Sequence, residues 1–213
     1  MAAHPSSRSD VLASGLLVEP PARVPWYLRV GLWWARRAAG KEPVVGRLLA
    51  HAPRAALAAG IFELGAAHGP RDLARRELAV ARLVASATSG CAFCIDMNAA
   101  GHGEAGLTRQ EVGLLLGLDV ERWSELGDRE QVAARYAHCL SSTPVELTPA
   151  LAVALRQHFS DREIVVLATT IAQVNYWARL NSGLGVPSAG FFDDHACELP
   201  ATGIDPTRSG SVS

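Results

Sequence analysis

An all-α fold is predicted, on three observations. Leu, Ala, Arg and Glu dominate the apolar segments, and almost nothing alternates apolar with polar residues as a half-buried strand does. Thr108-x-x-Glu111 and Ser160-x-x-Glu163 each set a glutamate three residues after a hydroxyl, the form of a capping box at a helix start. Arg76-Glu77-Leu78-Ala79-Val80 also resembles Arg162-Glu163-Ile164-Val165-Val166. Each opens an apolar helix of similar length, so two related helical layers are expected.

In chain order, residues 1 to 22 are rich in Ala, Ser and Pro and read as a flexible tail. They lack the charged start, apolar run and small-residue cleavage site of a secretory signal, so a cytoplasmic location is expected. Residues 24 to 37 interleave Trp26, Tyr27, Trp33 and Trp34 with Arg29, Arg36 and Arg37. A helix lying on a membrane is one reading of that pattern. The favoured reading has the aromatic bulk covering a core or a subunit interface, with no membrane contact. Helices follow at about 43–50, 54–67, 71–88, 91–101, 108–117, 128–141, 147–158 and 160–183. Residues 198 to 213 read as a second tail, which leaves a single domain over 23–197. No run approaches the roughly 18 consecutive apolar residues that cross a bilayer.

A chain of 213 residues, 49% of them hydrophobic, has enough apolar material for one sizeable core. Its net charge of -1 and pI of about 6.7 give no basic footprint, so nucleic acid is not an expected partner. Of the 4 cysteines, Cys139 and Cys197 lie far from each other and from Cys91-Ala92-Phe93-Cys94, a distribution that argues against a disulfide framework. The CxxC is therefore redox-active or half of a metal site. A structural zinc site needs about four ligands. His102, His138 and Cys139 are the available completers, and no second CxxC or HxxxH follows, so neither metal nor cofactor is expected.

Ser89-Gly90 breaks the helix before the thiols. A helix starting there puts Cys91 in its first turn, where unpaired N–H groups and the dipole favour a thiolate. Cys94, three residues on, shares that face and can pair with it. Such a dithiol reduces a peroxide when one thiolate takes the oxygen and the neighbour condenses to a disulfide. One turn beyond Cys94, where an acid–base group would help, stands Asn98, whose amide does not titrate near neutrality. His102 lies a further turn on, about 12 Å along the axis from Cys94. It is a candidate base against the commoner role of a surface or capping histidine. Glu77 reaches the thiols only if its helix and the next are antiparallel; otherwise it serves its own helix start. Asp96 is expected on the solvated flank, and Phe93 and Trp177 in the core or lining an apolar pocket.

Taken together, Arg76-Glu-Leu-Ala-Val-Ala-Arg-Leu-Val84, Gly90-Cys-Ala-Phe-Cys-Ile-Asp-Met-Asn98, Leu107-Thr-Arg-Gln-Glu-Val112, Phe159-Ser-Asp-Arg-Glu-Ile164 and Asn175-Tyr-Trp-Ala-Arg-Leu-Asn181 resemble the carboxymuconolactone decarboxylase and AhpD-like alkylhydroperoxidase family over about residues 70–185. The resemblance implies an AhpD-like all-α domain with two helical halves, assembled as a homo-oligomer, a trimer or hexamer, with the CxxC near a subunit boundary. It also implies peroxidase chemistry of the peroxiredoxin type, with Cys94 attacking a hydroperoxide, Cys91 resolving it, and a separate thiol reductant restoring the pair. That order opposes the helix-start argument for Cys91. Asn98 stands where the family's CxxCxxxH pattern has its histidine, and the family's relay glutamate falls nearer the CxxC than Glu77. The expected catalytic set is thus Cys94, Cys91, Asn98, Glu77 and His102. The alternatives are a redox-sensing or scaffolding oligomer without turnover, and a lactone decarboxylase like the members that lack the thiols.

Overall fold

The computed structural model describes residues 15–41 and 44–192. The expected tail over 198–213, the first fourteen residues of the expected N-terminal tail, Cys197 and the last residues of the 23–197 domain lie outside that range. Among the described residues the secondary structure is helical throughout. The elements are α1 (Trp26–Ala39), α2 (Val44–Leu48), a 3-10 turn (Leu49–His51), α3 (Pro53–Ala66), α4 (Arg75–Thr88), α5 (Ala92–Ala100) and α6 (Arg109–Leu116). A second 3-10 turn (Arg122–Glu125), α7 (Asp128–Ser141), α8 (Pro149–His158) and α9 (Asp161–Leu184) complete them.

The two capping boxes form. Thr108 Oγ1 accepts the Glu111 N–H at 3.2 Å while Glu111 accepts the Thr108 N–H at 2.7 Å, and Ser160 and Glu163 exchange the same bonds at the head of α9. Each cap satisfies helix N–H groups that would otherwise lack an intrahelical acceptor.

Helices α4, α7 and α9 pack against one another and build the core from Val80, Leu83, Val84, Ala133, Ala137, Leu167 and Ile171. Ile95 of α5, Leu115 of α6 and Trp123 of the second 3-10 turn close it. Each fully buried Leu or Ile contributes about 1.5–3 kcal/mol, more than an exposed ion pair at about 0–1 kcal/mol, so packing holds these helices together. Ion pairs decide which ends meet. Arg76 of α4 reaches Glu130 of α7 at 3.0 Å, and Arg129 of α7 reaches Glu77 of α4 at 2.8 Å and Glu163 of α9 at 2.7 Å. All three helices therefore start at one end of the bundle, each with an Arg-Glu pair. The sequence similarity noted between α4 and α9 thus has a third copy, Arg129-Glu130, that the reading missed.

Gly90 adopts a left-handed φ of 64°. A side chain would strain that backbone, and the reversal it allows folds α5 back on α4. The amphipathic α1 departs from the first of its two expected placements, a core. Among its described side chains only Leu28 is buried, while Trp26 is 76%, Trp33 56% and Trp34 62% exposed. These rings therefore do not cover the core of the chain.

Candidate active site

Cys91 caps the N-terminus of α5, with its Sγ accepting the Cys94 N–H at 3.2 Å. Cys94 lies in the first turn, and the two sulfurs are in contact as a disulfide pair whose Cα atoms are 5.2 Å apart. Both residues are 2% exposed and pack with Ala178, Phe93 and Trp177. The sequence expectation of paired thiols at a helix start is met, with Cys91 at the cap itself rather than inside the first turn.

The long helix α9 supplies the rest. Gln173, Trp177 and Asn181 recur one turn apart and share a face. The fully buried Asn181 directs its Nδ2 at Cys94 Sγ, 3.7 Å away, while its Oδ1 is buried without a hydrogen-bond partner. Each sulfur thus receives one N–H: a backbone donor on Cys91 and an amide donor on Cys94. Donors of this kind favour a thiolate over a thiol. The free Oδ1 is also an acceptor for the S–H proton of a reduced cysteine. Trp177 Nε1 and Gln173 Nε2 both donate to Glu63 Oε2 of α3, at 2.6 and 2.8 Å, which fixes the indole beside the cysteines.

Asn98 makes no hydrogen bond to either sulfur. Its Nδ2 donates to Ser86 Oγ at 2.9 Å and to the Cys94 carbonyl at 3.0 Å, while Ser86 Oγ donates to the Arg82 carbonyl. The side chain ties α5 to α4. Asn175 does the same in the second half, donating to Ser141 Oγ at 2.9 Å and to the Ile171 carbonyl at 3.0 Å. The equivalence identifies this amide–hydroxyl link as a packing device, because in α9 the residue one turn before the amide is Ile171 rather than a cysteine.

The other expected participants lie elsewhere. Glu77 sits in the first turn of α4, about 16 Å along the helix axis from the end that leads into Cys91, and is held by Arg129. Because α5 begins at the far end of α4, its folding back does not carry the thiols to Glu77. His102 follows the end of α5; its Nδ1 bonds the Ala99 carbonyl at 2.8 Å and its ring meets Phe192 edge-on. His138 bonds Thr88, and among the described residues no three His, Cys, Asp or Glu side chains gather as a metal site.

Asp96 was expected on the solvated flank and is fully buried. Its Oδ1 accepts the Phe192 N–H at 2.7 Å and its Oδ2 the Ala189 N–H at 2.9 Å. Burial pushes its pKa up, but hydrogen bonds from the backbone at 189, 191 and 192 and from Ser188 outweigh that and hold it below the usual carboxylate value. Asp96 thereby fastens the segment after α9. Lys41 holds the same segment through the Ala189 and Gly190 carbonyls and lies 4.5 Å over the Phe191 ring, whose edge meets Phe93. A carboxylate inside an apolar helix, read as solvated on periodicity alone, gave no sign that a distant segment would supply its donors.

Asn181, Gln173 and Glu63 were not foreseen. The signal available was the spacing of Gln173, Trp177 and Asn181 at successive turns in a long apolar helix, since buried polar groups at that period need partners.

Comparison with known proteins agrees with this architecture. The sequence profile of the carboxymuconolactone decarboxylase family matches residues 53–138, which run from α3 through the thiols into α7. The uncharacterized protein YnjA of Escherichia coli (strain K12) is 28% identical over 183 residues, covering 85% of this chain and 96% of its own. The uncharacterized protein YdfG of Bacillus subtilis (strain 168) is 30% identical over 114 residues, or 52% of this chain and 73% of its own. Among solved structures, the alkylhydroperoxidase AhpD core of an uncharacterized peroxidase-related protein from Ralstonia eutropha JMP134 superposes with a TM-score of 0.69 at 22% identity. That match spans 89% of this chain and 96% of that one. With an AhpD-like all-α fold, a matching profile and a relative aligned across most of its length, the chain belongs to the carboxymuconolactone decarboxylase family.

Proposed function

We propose that the protein is a dithiol peroxidase, in which the Cys91–Cys94 pair reduces an organic hydroperoxide or H2O2 and is itself regenerated by an external thiol reductant. The observation that carries this reading is the pair of sulfurs in contact at the head of α5, each facing an N–H donor. In the first step the Cys94 thiolate attacks the peroxide's terminal oxygen. The O–O bond breaks, Cys94 becomes a sulfenic acid, and the departing alkoxide or hydroxide takes a proton from solvent to leave as alcohol or water. Cys91 then attacks the Cys94 sulfur, forming the disulfide and releasing water. A dithiol reductant returns both electrons by thiol–disulfide exchange. The Asn181 amide stabilises the Cys94 thiolate before attack, which favours Cys94 as nucleophile. The Cys94 N–H on Cys91 Sγ plays the same part for the resolving thiolate.

The reading carries with it assembly into a homo-oligomer. Helix α3 exposes Leu57, Ile61 and Leu64 on one face, with Glu63 turned away towards Trp177, and a second copy seated there would bury a largely apolar surface whose one charge is Arg54 in the first turn.

A second reading is favoured by a specific feature. Among the described residues, no hydrogen bond joins a titratable side chain to either sulfur, and both cysteines are buried. That suits a redox sensor whose disulfide forms without efficient turnover. The two separate on Cys91→Ser treated with one equivalent of cumene hydroperoxide and followed by intact mass. The peroxidase reading expects a rapid gain of a single oxygen on Cys94, absent from Cys94→Ser. Oxidation no faster than that of a free thiol supports the sensor.

A further inference from the structure

Helix α1 and the residues around it carry no part of the thiol chemistry, yet their composition is the most polarised in the chain. Residues 20–55 hold seven Lys and Arg against one acidic residue, in a protein whose net charge is -1. α1 itself has Arg29, Arg36 and Arg37 and no carboxylate. Among the described residues, none of Arg23, Arg29, Arg36 and Arg37 has an ion-pair partner. Arg23, Arg29, Arg36 and Arg47 line one open cavity of about 750 Å³, whose remaining wall includes Leu32 and Trp33.

The helix has two faces. At 100° per residue, Leu28 and Leu32 point inward, and Trp26, Val30, Trp34 and Tyr27 form one outward arc, with Trp33 at its edge and the arginines at its flank or within it. Arginine beside exposed tryptophan is the pattern of a helix lying in a membrane interface, where indole rings sit among headgroups and guanidinium groups meet phosphates. At 14 residues α1 is about 21 Å long, too short to cross an apolar layer of about 30 Å, and no described helix is long and apolar enough to do so.

We propose that α1 and its arginine-lined cavity dock the protein on an anionic phospholipid surface. Charge selects this occupant over a second copy of the chain. Pairing α1 with α1 about a two-fold axis brings three unpaired arginines from each copy together at a cost, whereas phosphates neutralise them. The face of α3 with Leu57, Ile61 and Leu64, which carries the single cation Arg54, remains for a partner subunit. The shallow seat of α1, with Leu28 the one buried side chain among those described, leaves the aromatic arc outermost. Helix α2 joins this surface to the thiols: Arg47 lines the cavity, while Val45 and Leu48 pack in the cluster that includes Phe93 and Trp177. Docking by α1 therefore holds the CxxC one short helix from the lipid.

The test uses the full chain with phosphatidylcholine vesicles, with and without phosphatidylglycerol, and with brominated acyl chains as quenchers of tryptophan fluorescence. Binding is expected only on the anionic vesicles, weakened by salt, with quenching lost in Trp26→Ala/Trp33→Ala/Trp34→Ala. Arg29→Gln/Arg36→Gln/Arg37→Gln is expected to weaken partitioning about a hundredfold, with unchanged circular dichroism. Cys94→Ser is expected to bind as the wild type does, so failure of the thiol reading leaves this result untouched. Three outcomes overturn the proposal: no vesicle binding, equal binding to neutral vesicles, or tryptophan burial that follows protein concentration alone, the mark of a second copy. Saturable binding of soluble glycerol phosphate without vesicle binding would overturn it also.

Discussion

The two ends of the α4–α7–α9 bundle are built from opposite chemistry. At the end where the helices start, Arg76 and Arg129 bridge Glu130, Glu77 and Glu163 across three helices, and each of these five charges has a counter-charge. At the end where α4 stops and α5 begins, the packing links are amides with hydroxyls or sulfur, Asn98 with Ser86, Asn175 with Ser141 and Ser89, Asn181 with Cys94, while His138 on Thr88 and Glu63 on Trp177 make no hydrogen bond to a sulfur. A group that ionises in service must not be captured by a fixed charge, and a packing ion pair must not be asked to move. The separation teaches that Glu77, though a glutamate near a CxxC in sequence, belongs to the architecture, while Asn181, eighty-seven residues from Cys94 in sequence, belongs to the thiols.

The comparison breaks first at Arg129. Arg129→Leu leaves the buried Glu77 carboxylate without its guanidinium and frees Glu163, and chemical denaturation is expected to show a loss of about 3 kcal/mol. The Cys91–Cys94 redox potential should stay in place. A shift in that potential would mean the ends are coupled.

Acid attacks the same end next. Glu163 is held down at about 2 by the Ser160 N–H, then by Arg129 and the Ser160 hydroxyl, and Glu111 is lowered as well, its burial outweighed by Thr108 and Arg76. Folded-state values below the unfolded ones stabilise the protein above the unfolded carboxylate pKa. That stability is lost as pH falls towards about 2. Thermal melts should therefore be flat near neutrality and decline from about pH 4.5 downward, with a shallower decline in Glu163→Gln. An equally steep decline in that variant would exclude Glu163 as a main contributor.

At the thiol end the expected effects fall on reactivity. Asn181→Leu removes the one side-chain donor on Cys94, and a charge-assisted bond of this length is expected to cost about tenfold in the rate of Cys94 alkylation near neutral pH. Asn181→Asp sharpens the point: a carboxylate beside the sulfur should slow alkylation further, and only while it is ionised. The smallest effect is expected at Asn98. Asn98→His gives up the Ser86 link, worth about 1 kcal/mol of stability, and places a titratable ring one turn from Cys94. Peroxide-driven oxidation should rise severalfold, and an unchanged rate would show that this position has no path to the sulfur.

Much of this was legible in the sequence because it is local. The capping boxes at 108 and 160, the break at Ser89-Gly90 and the placement of Cys91 at a helix start follow from bonds within four residues, and α7 ran from 128 to 141 as periodicity indicated. The failures were long-range. Periodicity sees that Asp96 is polar but cannot see the N–H groups at 189 and 192 that permit its burial. It sees Glu77 at a helix start but not the Arg129 that claims it. It put the tryptophans of α1 on a core or a subunit interface because apolar area is usually buried, and the core half of that reading fails, since among its described side chains that helix buries only Leu28 within the chain. For Asn181, no signal short of tertiary structure says which of several polar residues on a long helix meets a given sulfur.

The central claim is that the amide-lined end supports dithiol chemistry without a titratable partner on either sulfur. It is tested most directly by stopped-flow oxidation of the reduced protein by cumene hydroperoxide across pH, beside Cys94→Ser and Asn181→Leu. The account predicts disulfide formation well above the rate of a free thiol, governed by one ionisation, abolished in Cys94→Ser and slowed in Asn181→Leu. A rate matching a free thiol and indifferent to Asn181 would contradict it.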